Sequence, residues 1–160
     1  MFDADRTGVT SVLEPDLQGF LDAVDEIAEM SMVQSVAPFA IRILQEKINS
    51  EVYAVDWPGR KYKRKYYNHG LIDPREIEWK YESQTNTLIV RSIRDDWEPT
   101  MRAHEGRNVA EVVETGNGYD WFAVRPRPFH KPAEEFLIAS GEVDALLTRD
   151  MELYLGMWSW

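Results

Sequence analysis

From residue 17 onward apolar side chains recur at helical spacing, at Leu17, Phe20, Leu21, Val24, Ile27 and Ala28, with Asp22, Asp25, Glu26 and Glu29 on the other side. This period predicts an amphipathic helix. Its start is expected near Glu14-Pro15-Asp16, because proline suits the first helical turn and carboxylates are favoured at the positive end of the helix dipole. Pro38 should bend or restart the helix, since it lacks the N–H that would continue the hydrogen-bond ladder. Beyond it Phe39, Ile43, Leu44 and Ile48 continue the stripe as far as Asn49. The expectation is a long, kinked or two-part helix over residues 15–50, preceded by a loosely held arm at residues 1–12.

The period then changes. Ile77, Trp79 and Tyr81 alternate with Glu78, Lys80 and Glu82, which is the period-2 signal of a half-buried strand. Ser83-Gln84-Thr85-Asn86 supplies a turn, and the β-branched stretch Thr87 to Ile93 a return strand. Val109 to Val113 reads as a third strand ended by Thr115-Gly116-Asn117-Gly118, and Tyr119 to Val124 as a short fourth. Pro126, Pro128 and Pro132 interrupt regular structure until a last helix opens near Pro132. Phe136, Val143, Leu146, Leu147 and Tyr154 form its apolar face across Gly141. The order helix, strands, helix gives an α+β fold: a long N-terminal helix kinked near Pro38, a small antiparallel sheet of three to four strands, and a C-terminal helix.

Length narrows the picture to one domain spanning residues 1–160, with an apolar tail at residues 153–160. The chain has no cysteine, so disulfides, thiol nucleophiles and cysteine-ligated metals are excluded. The acidic, polar start Met1-Phe2-Asp3-Ala4-Asp5-Arg6 has no apolar core of signal-peptide length behind it. No apolar run approaches the ~18 residues of a membrane span. The expectation is a protein made in the cytoplasm, with no membrane partner.

Charge is segregated. Residues 1–56 carry 11 acids and 3 bases (net −8), residues 57–72 no acids and 5 bases (+5), and residues 73–160 17 acids and 10 bases (−7), giving the total of −10. An acidic body with one compact basic segment repels phosphate at long range, which disfavours sequence-independent nucleic-acid binding by the whole surface. The segment itself, Arg60-Lys61-Tyr62-Lys63-Arg64-Lys65-Tyr66-Tyr67, admits three readings. Bases interleaved with tyrosines hold phosphates and stack on nucleobases; they equally dock on an acidic protein surface; or the run is a solvated loop. The tail Leu153-Tyr154-Leu155-Gly156-Met157-Trp158-Ser159-Trp160 is too apolar to stand bare in water. Either it folds back on its own domain or Trp158 and Trp160 hook a partner.

Motifs for catalysis are weak. His69, His104 and His130 show no metal-ligand spacing and read as exposed or capping residues. Asn68-His69-Gly70 ahead of Asp73-Pro74 lacks the second histidine of a metal-dependent nuclease loop. No nucleophile elbow, phosphate-cradling loop or dinucleotide fingerprint is present, and Glu134-Glu135 fits the first turn of a helix. No cofactor, metal or catalytic residue is expected.

From Arg107 onward the chain runs Asn108-Val109-Ala110-Glu111-Val112-Val113-Glu114-Thr115-Gly116, then Arg125-Pro126-Arg127-Pro128-Phe129-His130-Lys131-Pro132-Ala133. This resembles the tail-completion (head–tail joining) proteins of long-tailed bacteriophages. In that family a strand ending in a Glu-x-Gly turn precedes an Arg-Pro-Phe loop and a Pro-Ala helix start. Asn68-His69-Gly70-Leu71 stands where that family has a Thr-Gly-x-Leu turn, with His69 in place of the threonine. The resemblance covers residues 60–150. It implies a structural virion protein, not an enzyme, that forms a six- or twelve-fold ring at the neck. Such a ring contacts neighbouring connector and tail-tube proteins and passes DNA only as cargo. On this reading the subunit or partner interface comprises Arg60, Lys61, Lys63, Arg64, Lys65, Arg125, Arg127, Phe129, Trp158 and Trp160. The loop then presents an arginine fork and an aromatic ring in a rigid backbone; the alternative is an ordinary connection with Phe129 closing the core. A tail-terminator ring or a protein-binding adaptor domain are the alternative functions.

Overall fold

The computed structural model describes residues 7–54, 70–93, 109–116 and 126–156, with side chains from Leu17 onward and without that of Val112. The basic residues Arg60, Lys61, Lys63, Arg64 and Lys65, as well as Arg125, Trp158, Trp160, His69, His104 and the expected strand Tyr119–Val124, lie outside the described residues.

One long helical run forms the spine. Helix α1 (Thr7–Ser31) passes through a π-type turn at Met32–Val36 into α2 (Ala37–Ile48), which ends in a second π-type turn at Asn49–Tyr53. The kink expected at Pro38 is this first π turn. Pro38 removes one donor and its ring crowds the carbonyl four residues back. Widening the turn, with the Ala37 N–H reaching the Met32 carbonyl, carries the helix past the proline without a break. The helix begins at Thr7 rather than near Pro15, so residues 7–12, expected in a loose arm, belong to α1.

Strands β1 (Ile77–Glu82) and β2 (Thr87–Ser92) pair antiparallel, with Ile77 opposite Ser92 and Glu82 opposite Thr87. Asn86, at φ 49°, takes the left-handed turn position that asparagine tolerates, and its side chain accepts from the Tyr81 hydroxyl at 2.7 Å. The 3-10 turn Pro74–Glu76 leads into β1 and is capped by Asp73, whose carboxylate accepts from the Arg75 N–H.

Two sequence-based expectations fail here. Among the described residues the sheet has two strands, not three or four. Val109–Thr115, expected as the third strand, is helix α3. Its β-branched valines favour a strand in isolation, but packing overrides propensity. Strand alternation would put charged Glu111 on the same face as Val109 and Val113. Helical geometry instead turns Ala110 and Val113 into the core and leaves Glu111 exposed. Gly116, at φ 71°, follows the end of α3 in the left-handed conformation that glycine adopts freely.

The expected last helix is two helices, α4 (His130–Ala139) and α5 (Glu142–Gly156), separated at Ser140-Gly141, where Gly141 has φ 68°. Together they run antiparallel to the spine. Phe136 on α4 lies against Lys47, and Asp150 on α5 against Ser31. The core centres on α2: Phe39, Ile43, Leu44, Ile48 and Val52 pack with Leu71, Ile72, Ile77, Ala110, Val113, Phe129 and Ala133.

By length and composition alone, a stretch of the run Leu17–Tyr53 is apolar enough to cross a membrane, contrary to the sequence-based expectation. Burial of Ile27, Val36, Ala37, Phe39, Ala40, Ile43 and Leu44 inside the domain accounts for that apolarity.

Candidate functional site

The loop carrying the expected Arg-Pro-Phe motif enters the structure at Pro126 and meets α3, α4 and the end of the spine at one polar joint. The Arg127 N–H donates to the Val113 carbonyl at 3.0 Å. Its guanidinium reaches the Val52 carbonyl at 3.4 Å, where the spine ends and carbonyls lack helical partners. Glu114, in the last turn of α3, caps the next helix. Its Oε1 accepts the N–H groups of Phe129 (3.2 Å) and His130 (2.9 Å), and Oε2 pairs with His130 Nδ1. A carboxylate here satisfies unpaired N–H groups and meets the positive end of α4. The His130 ring lies 4.4 Å from that of Phe129, and Phe129 is fully buried.

A second joint ties α5 to the π turn of the spine. Ser31 Oγ donates to Asp150 Oδ2 at 2.7 Å, and the Arg149 guanidinium bonds Asp150 Oδ1 at 2.6 and 2.9 Å and Ser35 Oγ at 3.1 Å. Ser31 and Asp150 are both buried. The hydroxyls of Ser35 and Ser31, with Arg149 beside them, hold the Asp150 carboxyl down to about 2 against the opposing effect of burial. A third pair, Asp73 and Arg75, forms a fork with contacts of 2.6 to 3.2 Å. Asp73 hydrogen bonding and charge raise Arg75 above its ordinary value.

All three carboxylates serve as structural joints. Asp73, next to the histidine motif, is held by Arg75 and by the turn it caps. Among the described residues no group of three or more His, Cys, Asp or Glu is placed to hold a metal ion. An open depression lined by Ile43, Glu46, Lys47, Ser50 and Phe136 brings together one acid, one base and a phenyl ring lying under the Lys47 ammonium. No described polar group there is both enclosed and convergent, which a small-molecule site requires.

Of the residues expected at an interface, two are described. Phe129 is a correction: its ring closes the subunit's own core, with nothing left to present to a partner. Arg127 is half-buried and hydrogen-bonds within the subunit. The joints themselves, Glu114 with His130 and Ser31 with Asp150, were not identified from sequence. Ser31 and Asp150 did leave a signal, since each lies on the apolar stripe of its helix, four residues after Ile27 and Leu146 respectively.

The surface has a different character. Asp22, Asp25, Glu26 and Glu29 are all exposed on the side of α1 turned away from the buried Ala23, Ile27 and Ser31. Asp25, Glu26 and Glu29 have no ion-pair partner among the described residues. These carboxylates give that side of α1 a negative surface, complementary in charge to a basic one.

The model of the YomN family matches residues 16–152 of the chain. No curated protein and no solved structure matches it.

Proposed function

The chain belongs to the YomN family, and we propose that it is a phage-associated, structural virion protein that assembles with copies of itself into a ring at the phage neck. There it joins the head or connector to the tail and leaves a channel for DNA, without a cofactor and without catalysis. It assembles in the host cytoplasm and resides in the virion. Its partners are its own copies and the adjoining neck and tail proteins, with no membrane among them.

The observation that carries this reading is the separation of charge on one small subunit. The exposed acids of α1 face away from the core, and the compact basic segment Arg60–Lys65 stands against a net charge of −10. Unlike patches on one subunit permit head-to-tail pairing, and head-to-tail contacts that close generate rings. Arg125 and Arg127 remain proposed contact residues through the rigid proline-flanked loop. The likeness of Arg125–Ala133 to the tail-completion loop supports the neck position, although the strand that precedes it in that pattern is here helix α3.

The test reverses Lys63 and Arg64 to glutamate in the phage. The expected outcome is a normally folded subunit, heads and tails that stay unjoined, and residual assembly less sensitive to salt than that of the wild type. Tailed, infectious particles at normal yield would contradict the proposal. Unaltered assembly with loss of DNA affinity would assign the segment to nucleic acid instead.

A further inference from the structure

Helix α2 meets the hairpin at β2, which leaves β1 on the outside. Glu78, Trp79 and Lys80, three consecutive residues of β1, are all exposed, Trp79 by 40%. Successive side chains of a strand point to opposite faces, so the middle of β1 is open on both.

The backbone phase of the hairpin fixes which groups point outward. The Ile93 N–H donates to the Glu76 carbonyl at 2.8 Å, so these two residues form a hydrogen-bonded pair. Along an antiparallel ladder such pairs alternate with pairs whose N–H and C=O groups turn away from the partner strand. By the register, Glu78, Lys80 and Glu82 bond to β2, while Ile77, Trp79 and Tyr81 turn their backbone groups to the open edge. The Ile77 N–H is taken up by the Pro74 carbonyl. The Ile77 carbonyl and both backbone groups of Trp79 and Tyr81 have no partner among the described residues. Unpaired groups on an edge strand are a template for another strand, and a two-stranded sheet gains stability from further strands.

We propose that this edge pairs two copies of the chain, β1 against β1, in one continuous antiparallel sheet. Only one register engages Ile77, Trp79 and Tyr81 together: Trp79 opposite Trp79 of the second copy, and Ile77 opposite its Tyr81. The tryptophans then exchange both backbone hydrogen bonds, and each Tyr81 N–H meets an Ile77 carbonyl. In the same register Glu78 stands opposite Lys80 of the second copy, in a non-hydrogen-bonded pair, where side chains are closest. Opposite charges so placed stabilise a sheet and like charges destabilise it. Sliding to the next register of the same phase, in either direction, sets Glu78 against Glu78 or Lys80 against Lys80. Charge therefore selects the register that the backbone also favours. Glu78 and Lys80 now pair with Arg91 and Glu82 at the exposed surface, where ion pairs contribute little, so changing partners costs little. The two Trp79 rings fall side by side on one face, each covering the other. A two-fold contact closes at two copies, so it is separate from the head-to-tail contacts proposed for the ring.

The test uses the full-length chain, which has no cysteine. Lys63→Glu and Arg64→Glu are present throughout, so that pairing is read apart from ring closure. Glu78→Cys and Lys80→Cys proteins are oxidised separately and as a mixture. The expected product of the mixture is a disulfide-linked pair holding one chain of each kind, formed several-fold faster than linked pairs of either protein alone. Equal rates in all three samples would overturn the proposal. A second arm reads the fraction of paired chains by sedimentation. Lys80→Glu and Glu78→Lys should each weaken pairing several-fold on their own, by setting like charges opposite. Their mixture should regain it, because every Glu then faces a Lys. A mixture no more paired than its two components would equally count against the proposal.

Discussion

The two halves of the helical spine carry the same apolar periodicity and put it to different uses. On α2, Phe39, Ile43, Leu44 and Ile48 are each no more than 8% exposed, because the hairpin, α3, the Phe129 loop and α4 converge on them. On α1, Leu17, Phe20 and Leu21 follow the same spacing and are exposed, while α5, which packs on α1, ends level with about residue 25. Polar residues divide in the same way. Near α2, Glu114 and Arg127 are absorbed into caps and carbonyl contacts, whereas on α1 Asp25, Glu26 and Glu29 are exposed. A periodic stripe thus tells where a helix is amphipathic, while the burial of its neighbours tells whether that face is core or surface. The α2 half carries most of the buried core, and the α1 half carries most of the exposed acids.

Substitutions break this contrast in a definite order. Phe129→Ala should be the most damaging, because a fully buried ring in the α2 cluster leaves a cavity. A loss of about 3–5 kcal/mol is expected in denaturant unfolding. A loss below about 1 kcal/mol would mean that the ring is not a core residue.

Asp150→Ala comes next, since it leaves the buried Ser31 hydroxyl without its acceptor; about 1–3 kcal/mol is expected. The same site gives a pH signature. The Asp150 carboxyl titrates near 2 in the folded chain against 3.8 ordinarily. Its contribution is therefore fully present above about pH 4–5 and is lost as pH falls toward 2. Asp150→Asn should flatten the acid limb of the stability curve by that contribution, and an acid limb identical to the wild type would refute the assignment.

Glu114→Ala should cost about 1 kcal/mol by uncapping α4. Hydrogen exchange should show the loss at residues 129–133 before the rest of the helix. Glu26→Lys with Glu29→Lys should change subunit stability least, by less than about 0.5 kcal/mol, because both residues are exposed and unpaired within the described structure. If α1 receives a basic segment of another copy, those two changes should nonetheless block joining. Normal assembly would remove α1 from the interface.

Much of this organisation was legible in the chain. The spine, its interruption near Pro38 and the two strands of the hairpin followed from local periods, but the half-buried face expected of β1 did not appear, since Trp79 is exposed. Non-local features were not. Val109–Val113 looked like a strand because valine favours one, and only its position against α2 makes it helical. Gly141 looked like a tolerated interruption, but its left-handed backbone separates two helices. Ser31 and Asp150 stand 119 positions apart, so their pairing depends on α5 folding back along α1. The loop Arg125–Pro132 was legible as rigid, but which way Phe129 points is decided by the α2-centred core in which it is buried.

The central claim is that this subunit acts by closing into a ring with its own copies. Native mass spectrometry of the full-length protein, alone and on assembled phage necks, tests it most directly. The account predicts a single closed multimer, dissociated by raised salt and by Lys63→Glu with Arg64→Glu. A strict monomer in both settings would contradict it.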